Sequence, residues 1–345
     1  MKRRYYSRVV EEFMKIEGEG KLVIFQPLVG IGDMIWHKPW IDELISRNNV
    51  ILAVKKSSQS HHLFSDTLSH DNFFFIDRNV RGSKGTHDGL FGKLKMALDL
   101  KRVSAQRALI LHHSQSYYWI AKTAGIKEIG GFGFGRRNYF GHTLPASDKD
   151  NHSLEKMAKF WEINGWKQPN RKWQITINQK DRGAAKSWLE DNGLKPNNFI
   201  VLGIGAMHHE RIWPAERFAN LIEELRKKRP DLIPVLMGGP SEKPIAEKIQ
   251  SQVGGNPVTE IFLPFNQAMA ALSFAKSYVG NDTSLLNLSG VLGVLSLGLF
   301  SQSKPLTYVE TIHHLDVIGE QDYGKSNIML SYQVADVFNW IDRNF

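Results

Sequence analysis

Short apolar runs that end in glycine turns, each followed by an amphipathic stretch, recur along this chain of 345 residues. A strand buried on both faces reads as an unbroken apolar run, and parallel neighbours need a long crossover between them, so this alternation selects a parallel sheet layered with helices. Lys21 to Leu28 (KLVIFQPL) reads as one such strand. The Gly30-Ile31-Gly32-Asp33 turn then opens a segment with Ile35, Trp36, Trp40, Ile41, Leu44 and Ile45 at helical spacing. Val50 to Val54, Phe73 to Ile76 and Ala108 to Leu111 read as further strands, separated by stretches such as the amphipathic Leu90 to Arg102.

The pattern is then interrupted and restarts. A helix from Ser153 to Asn164 ends at Gly165, and the polar stretch Trp166 to Lys172 contains Pro169 and no apolar period, so the linker is placed there. Beyond it come helix Asp181 to Asn192, strand Phe199 to Ile204, helix Ala215 to Lys228, strand Ile233 to Met237, helices Lys243 to Gln250 and Asn266 to Ala275, and strand Ser277 to Val279. A length of 345 residues accommodates two domains of roughly 100 to 200 residues each. The expected division is 1–167 and 168–330, with a last segment, 331–345, whose amphipathic Val334 to Ile341 is expected to cross back onto the first domain. No solenoid-length repeat or low-complexity tract is present.

Composition narrows the function. Zero cysteines exclude disulfides, thiolate nucleophiles and cysteine zinc sites. The most apolar stretch, Val291 to Phe300, falls short of the roughly 18 residues a membrane span needs. Met1-Lys2-Arg3-Arg4 is followed by no apolar run of signal-peptide length, so a cytoplasmic location is expected. The first 170 residues hold 26 Lys and Arg against 17 Asp and Glu, the remainder 18 against 18, so the whole net charge of +9 lies in the first half. That half is expected to meet an anionic partner. No nucleic-acid motif accompanies the charge, and nucleic acid is not expected as that partner.

Four motifs lie just past strand ends, where open parallel sheets bind their ligands. In the first, Gly30-Ile31-Gly32-Asp33, bulky Trp36 and its neighbours break the dinucleotide fingerprint. Asp33 reads either as the helix cap or as a carboxylate able to take a proton from a hydroxyl. The second, Gly203 to Pro214, joins a flexible turn, Arg211 and a proline near a helix start, a combination suited to phosphate. Its neighbours His208 and His209 lack metal-ligand spacing, and the His-His doublets at 61/62, 112/113 and 313/314 make the pair unspecific; no metal is expected. The third, Met237-Gly238-Gly239-Pro240-Ser241-Glu242, sets a carboxylate where it can accept ribose hydroxyls or simply complement a helix start. The fourth, Val279 to Leu288, places Asp282 and Thr283 at the start of a helix, as a ligand site or a helix cap.

In order and spacing these motifs resemble glycosyltransferase family 9, the ADP-heptose:lipopolysaccharide heptosyltransferases, over nearly the whole chain. The family's early Gly-Asp and proline-containing helix match Gly32-Asp33 through Pro39, and its Lys-x-Trp-Pro is similar to Arg211-Ile212-Trp213-Pro214. Its glycine pair with a downstream Glu matches Gly238, Gly239 and Glu242. Its Asp-Thr/Ser-Gly-x-x-His-Leu is similar to Asp282-Thr283-Ser284-Leu285-Leu286-Asn287-Leu288. The chain departs from the pattern in Arg211 for lysine, which keeps the charge but not the geometry, in Ser284 for glycine and in Asn287 for histidine.

The resemblance implies an α/β fold of GT-B architecture, two facing Rossmann-like doubly wound domains with a cleft between them. The amino domain would bind the acceptor and the carboxyl domain the nucleotide sugar. The implied reaction is an inverting, metal-independent transfer of heptose from ADP-heptose to a lipopolysaccharide core acceptor, with no cofactor beyond the donor. Asp33 would be the general base. Arg211, Glu242, Asp282, Thr283, Ser284 and Asn287 would bind the donor, and Arg78, Arg81, Arg136 and Arg137 an anionic acceptor such as phosphorylated lipid A carrying Kdo sugars. Such an acceptor would hold the protein peripherally at the inner face of the cytoplasmic membrane. Leu90 to Leu100, with lysines among apolar residues, has the composition of a segment lying on a membrane surface. The same residues also fit a GT-B transferase with another nucleotide sugar, or a degenerate protein that binds nucleotide or glycan without turnover.

Overall fold

The computed structural model describes residues 20–79, 84–135, 143–170, 172–206, 208–319, 321–325 and 327–345. The run KLVIFQ forms strand β1 (Lys21–Gln26), whose Val23, Ile24 and Phe25 are wholly buried. A strand apolar on both faces belongs at the centre of a covered parallel sheet. β1 is that centre: β2 (Asn49–Val54) and β4 (Arg107–Ile110) pair with it on either side, β3 (Phe73–Phe75) borders β2, and β5 (Glu128–Gly131) borders β4, all parallel. Helices α1 (Ile31–Arg47), α2 (Gly89–Lys101) and α3 (Gln115–Thr123) follow β1, β3 and β4, and α4 (Ser153–Ile163) closes the unit.

The second unit repeats the principle with six parallel strands in the order β11-β10-β9-β6-β7-β8. These are β6 (Phe199–Gly203), β7 (Ile233–Met237), β8 (Thr259–Ile261), β9 (Ser277–Asn281), β10 (Leu295–Leu299) and β11 (Ile312–His313). Its helices are α5 (Gln179–Asp191), α6 (Ala215–Lys228), α7 (Lys243–Gln250), α8 (Phe265–Leu272), α9 (Ser284–Val291) and α10 (Val334–Asn344). In both sheets the strand order reverses beside the first strand, which creates the crevice at the carboxyl ends where such folds bind ligands.

Two expectations about organisation are corrected. The chain divides after Trp173, not within Trp166 to Lys172. That polar stretch and the tryptophan after it are held to the first unit: Trp166 packs edge-on to Trp161 at 4.8 Å, Gln168 accepts from the Trp40 indole at 3.2 Å, and Trp173 lies 6.3 Å from Trp40. The final helix, expected to return to the first domain, instead joins the second core. Val337, Phe338 and Ile341 of α10 share that core with Leu221, Ile222 and Leu225 of α6, and Arg229 faces Asp342 at 3.5 Å. Its apolar stripe is matched by that of α6, so burial is satisfied locally. Among the described residues no helix is long and apolar enough to cross a membrane.

Candidate functional site

Each unit gathers chemistry-bearing side chains at the carboxyl edge of its own sheet. In the first, Gly30 is the cap residue of α1 and Asp33 sits in the first turn. Asp33 is therefore not the cap; its carboxylate reaches back to accept from the Gly30 N–H, the carboxylate arm of a capping box. A side chain at position 30 would put its Cβ 2.6 Å from Asp33 Oδ2, so the close approach needs glycine. Burial pushes the Asp33 carboxyl up to about 6, against the opposing pull of the Lys156 ammonium and the Gly30 hydrogen bond. A carboxyl that titrates just below neutrality is matched to proton abstraction.

One turn further along α1, buried His37 takes a hydrogen bond at Nδ1 from the Gln26 amide, 2.9 Å. The Gln26 carbonyl already accepts from the Leu28 N–H, which fixes the amide orientation and leaves the His37 proton on Nε2. Burial, then His152 and Lys156, hold His37 down to about 3, so it stays neutral. His152 caps α4 by accepting from Leu154 N–H and packs on Trp36 with ring centroids 4.3 Å apart. α4 thereby brings Lys156 toward Asp33.

Cations converge on this edge from other strands. Lys55 follows β2, and burial followed by nearby Arg78 lowers its affinity for a proton. Arg78 follows β3, stacks 5.4 Å from the Tyr117 ring and faces Asp88 at 4.0 Å. His112, past β4, is held down to about 3 by burial and then by His113, Arg78, Lys55 and Lys156. Lys55, Arg78 and Lys156 thus share one electrostatic neighbourhood, with Asp33 the carboxylate facing Lys156. Of the four arginines expected for the acceptor, Arg78 is here; Arg81, Arg136 and Arg137 lie outside the described residues.

In the second unit the hub is a residue that sequence reasoning passed over. Buried Asn281, the last residue of β9, donates to the Ile204 and Gly205 carbonyls at 3.1 Å each and accepts from the Trp213 N–H at 2.9 Å. It clamps both ends of the loop that carries Arg211. Trp213 is fully buried, and its indole donates to the Tyr332 carbonyl at 3.0 Å, so the Trp-Pro of the motif anchors α6 while Arg211 sits half-buried at the end of the turn His209–Arg211, whose other two residues are exposed. Arg211 Nε is buried without a hydrogen-bond partner in the protein.

Next to it, burial raises the proton affinity of Asp282, opposed by a hydrogen bond from Ser303, 3.2 Å, and by the charge of Arg211. Thr283 caps α9 by accepting from Leu285 N–H at 3.3 Å, and Ser284 is the helix's first residue. Glu242 accepts from the Gly239 N–H and the Ser241 hydroxyl, 2.6 Å each, with its stem packed over Gly205 and Gly238. Asn287 turns inward: its amide donates to the Thr283 carbonyl at 3.0 Å and its oxygen accepts from the Tyr308 hydroxyl at 2.9 Å. The second unit therefore brings together Arg211, Asp282, Thr283 and Ser284 beside β6 and β9. Among the described residues no three His, Asp or Glu side chains are grouped as a metal site.

The model of glycosyltransferase family 9 (heptosyltransferase) matches residues 93–328. The chain belongs to glycosyltransferase family 9. It is a glycosyltransferase, and its two parallel α/β units are those of the GT-B fold. Among solved structures it is similar to a family 9 glycosyl transferase from Veillonella parvula, with TM-score 0.78 and 18% identity over 94% of this chain and 96% of that one. It is similar to the E. coli ADP-heptose lps heptosyltransferase II, with TM-score 0.68 and 16% identity over 94% and 98% of the two chains. The E. coli heptosyltransferase WaaC with ADP-2-deoxy-2-fluoro heptose gives TM-score 0.66 and 13% identity over 94% and 100%. No curated protein sequence matches this family 9 chain.

Proposed function

We propose that the protein transfers heptose from ADP-heptose to an anionic, lipopolysaccharide-type acceptor, with inversion at the anomeric carbon. The observation that carries this reading is the pairing of Asp33, pushed up to about 6, with Lys156 beside the cations Lys55 and Arg78. A phosphorylated or carboxylated acceptor is held by the cations while one of its hydroxyls meets a base. The hydroxyl oxygen attacks the anomeric carbon as the bond to the ADP β-phosphate oxygen breaks. The proton passes to Asp33, and the electron pair leaves with ADP. A general base of this kind contributes about 100-fold to 10,000-fold.

Negative charge grows on the diphosphate during this step. Arg211 supplies the opposing charge, and the amides at the start of α9, beside Thr283 and Ser284, point their dipole at the same region. As proposed, protein cations neutralise the leaving group and no metal is required. Glu242 holds the ribose hydroxyls, and Asp282 contacts the donor sugar. The solved relative bound to an ADP-heptose analogue supports the choice of donor.

The test is direct. Purified protein is incubated with ADP-heptose and a Kdo-bearing acceptor, and the product is read by mass spectrometry, alongside a thermal-shift screen of ADP, UDP, GDP and CDP conjugates. Stabilisation by ADP-heptose with mass gain of one heptose supports the reading. Stabilisation by another conjugate alone replaces the donor, and binding without transfer makes the protein a nucleotide-sugar binder.

A further inference from the structure

Helix α2 carries apolar residues on more of its circumference than the core uses. Met96, Ala97 and Leu100 face inward, while Leu90 is 80% exposed, Phe91 86%, Leu94 51% and Leu98 55%. Trp119 of α3, 48% exposed, stands across a groove of about 470 Å³ whose walls include Leu94, Ala97 and Ile120. Scattered exposed apolar residues are ordinary, but a contiguous set on two adjacent helices marks an interaction surface.

The charges around the patch say what covers it. Lys93 lines the groove, and Lys122 stands 5.7 Å over the Trp119 ring. Lys101 and Arg102 are exposed at the far end of α2, and Lys95 on its outer face is 2.5 Å from Asp99. Apolar side chains with an interfacial tryptophan, ringed by lysines, match an anionic lipid surface: the rings enter the headgroup boundary and the ammonium groups meet lipid phosphates. A second copy of this chain would present the same basic face and be repelled.

Topology adds a reason for the position. The first turns of α2 and α3 begin next to the carboxyl ends of β3 and β4, the edge that carries Arg78 and His112. Leu90, Phe91 and Leu94 lie in the first two turns of α2. We infer that α2 and α3 dock the first unit on an anionic membrane surface through Leu90, Phe91, Leu94, Leu98 and Trp119, with the acceptor-binding edge beside the lipid. Docking depends on the reading above for its purpose alone; the surface exists whether or not heptose is the sugar transferred.

The test is co-sedimentation of the full chain with vesicles of phosphatidylethanolamine and phosphatidylglycerol, and with neutral phosphatidylcholine vesicles, neither containing any acceptor. Parent protein is expected to bind the first and not the second. The double variants Leu90→Ser/Phe91→Ser and Lys93→Glu/Lys122→Glu are each expected to bind at least about tenfold more weakly. Brominated lipid is expected to quench Trp119, with the quenching reduced in Trp119→Phe. Equal binding to both vesicle types, no binding, or unchanged binding by the Leu90/Phe91 variant overturns the proposal, as does a concentration-dependent dimer that the same substitutions dissolve. All four substituted side chains in the binding variants lie at the surface or groove, and an unchanged unfolding temperature establishes that the fold is intact. Transfer to a soluble, delipidated acceptor is expected to persist in both variants, so absence of that reaction in the parent counts against the proposed chemistry, and failure of the parent to bind vesicles counts against nothing but the docking surface.

Discussion

Replacing Asp33 with asparagine tests the base and its environment together. Because burial lifts the carboxyl from an ordinary 3.8 to about 6, its ionised form is disfavoured in the fold relative to the unfolded chain. The unfolded chain releases its proton first, so this residue's contribution to stability falls as pH rises through the interval and is lowest above pH 6. The gap is worth about 3 kcal/mol at roughly 1.36 kcal/mol per unit. An asparagine in its place cannot ionise, yet its side-chain oxygen can still accept from the Gly30 N–H. Asp33→Asn is therefore expected to stabilise the protein by about 1.5 kcal/mol at pH 5 and about 3 kcal/mol at pH 8, measured by urea unfolding of both proteins at each pH. The same variant is expected to lose at least about 100-fold in kcat, while parent kcat/KM rises with pH through about 6 as the base deprotonates. A stability difference that stays flat from pH 5 to 8 would refute the buried-carboxylate reasoning. Retention of more than about a tenth of parent activity would refute the general-base role.

Three further substitutions probe the surroundings. Lys156→Met removes the cation that holds Asp33 down, so the acid limb of the kcat/KM profile should move to higher pH; a limb that stays or moves lower contradicts the assignment. Asn281→Ala strips partners from three buried backbone groups, which at about 1 kcal/mol or more each predicts a loss of about 3 kcal/mol in urea unfolding and weaker ADP binding by calorimetry. A loss below about 1 kcal/mol would mean that the clamp does not hold the Arg211 loop. Gly205→Ala would bring a Cβ within 2.7 Å of the Glu242 Cγ, so that carboxylate must shift. Nucleotide affinity should fall, and an unchanged affinity would remove Glu242 from the donor site.

The architecture was legible because buried parallel strands and amphipathic crossovers leave opposite periodicities. The helices Ala215–Lys228 and Lys243–Gln250 and the strand Ile233–Met237 coincide with their sequence-derived bounds. Strands β5 and β8 escaped notice for physical reasons: one is the glycine-rich EIGG, the other three residues long, and both are edge strands held by pairing with a neighbour. The site divided in the same way. Asp33, Arg211, Glu242 and Asp282 follow strand ends and were visible by that rule; Arg78 was named for its place in a basic cluster, and the strand-end rule also applied to it and to Lys55. Lys156 was not visible, because its approach to Asp33 depends on α4 packing against α1, with Trp40 and Trp161 at 6.5 Å, more than a hundred residues apart in sequence. His37 likewise reads as one more residue of an apolar helix until Gln26 is seen beneath it.

The departures from the family motif at positions 284 and 287 have different weights once their bonds are considered. Asn287 is 6% exposed, and its carboxamide joins the Thr283 carbonyl to the Tyr308 hydroxyl, so it ties the first turn of α9 to the segment that follows β10. Ser284 adds a hydroxyl at the first helical position, where the backbone amide is one of those left without an intrahelical acceptor. A glycine there would offer the amide alone; serine offers the amide and a second donor to the same anion. On the donor role proposed above for this turn, the serine would add a donor to the diphosphate site, and Asn287 ties the turn in place through its two bonds. If Arg211 meets the leaving diphosphate as proposed, its planar guanidinium would present two parallel donors where lysine presents a point charge, so the grip would depend on geometry as well as on charge.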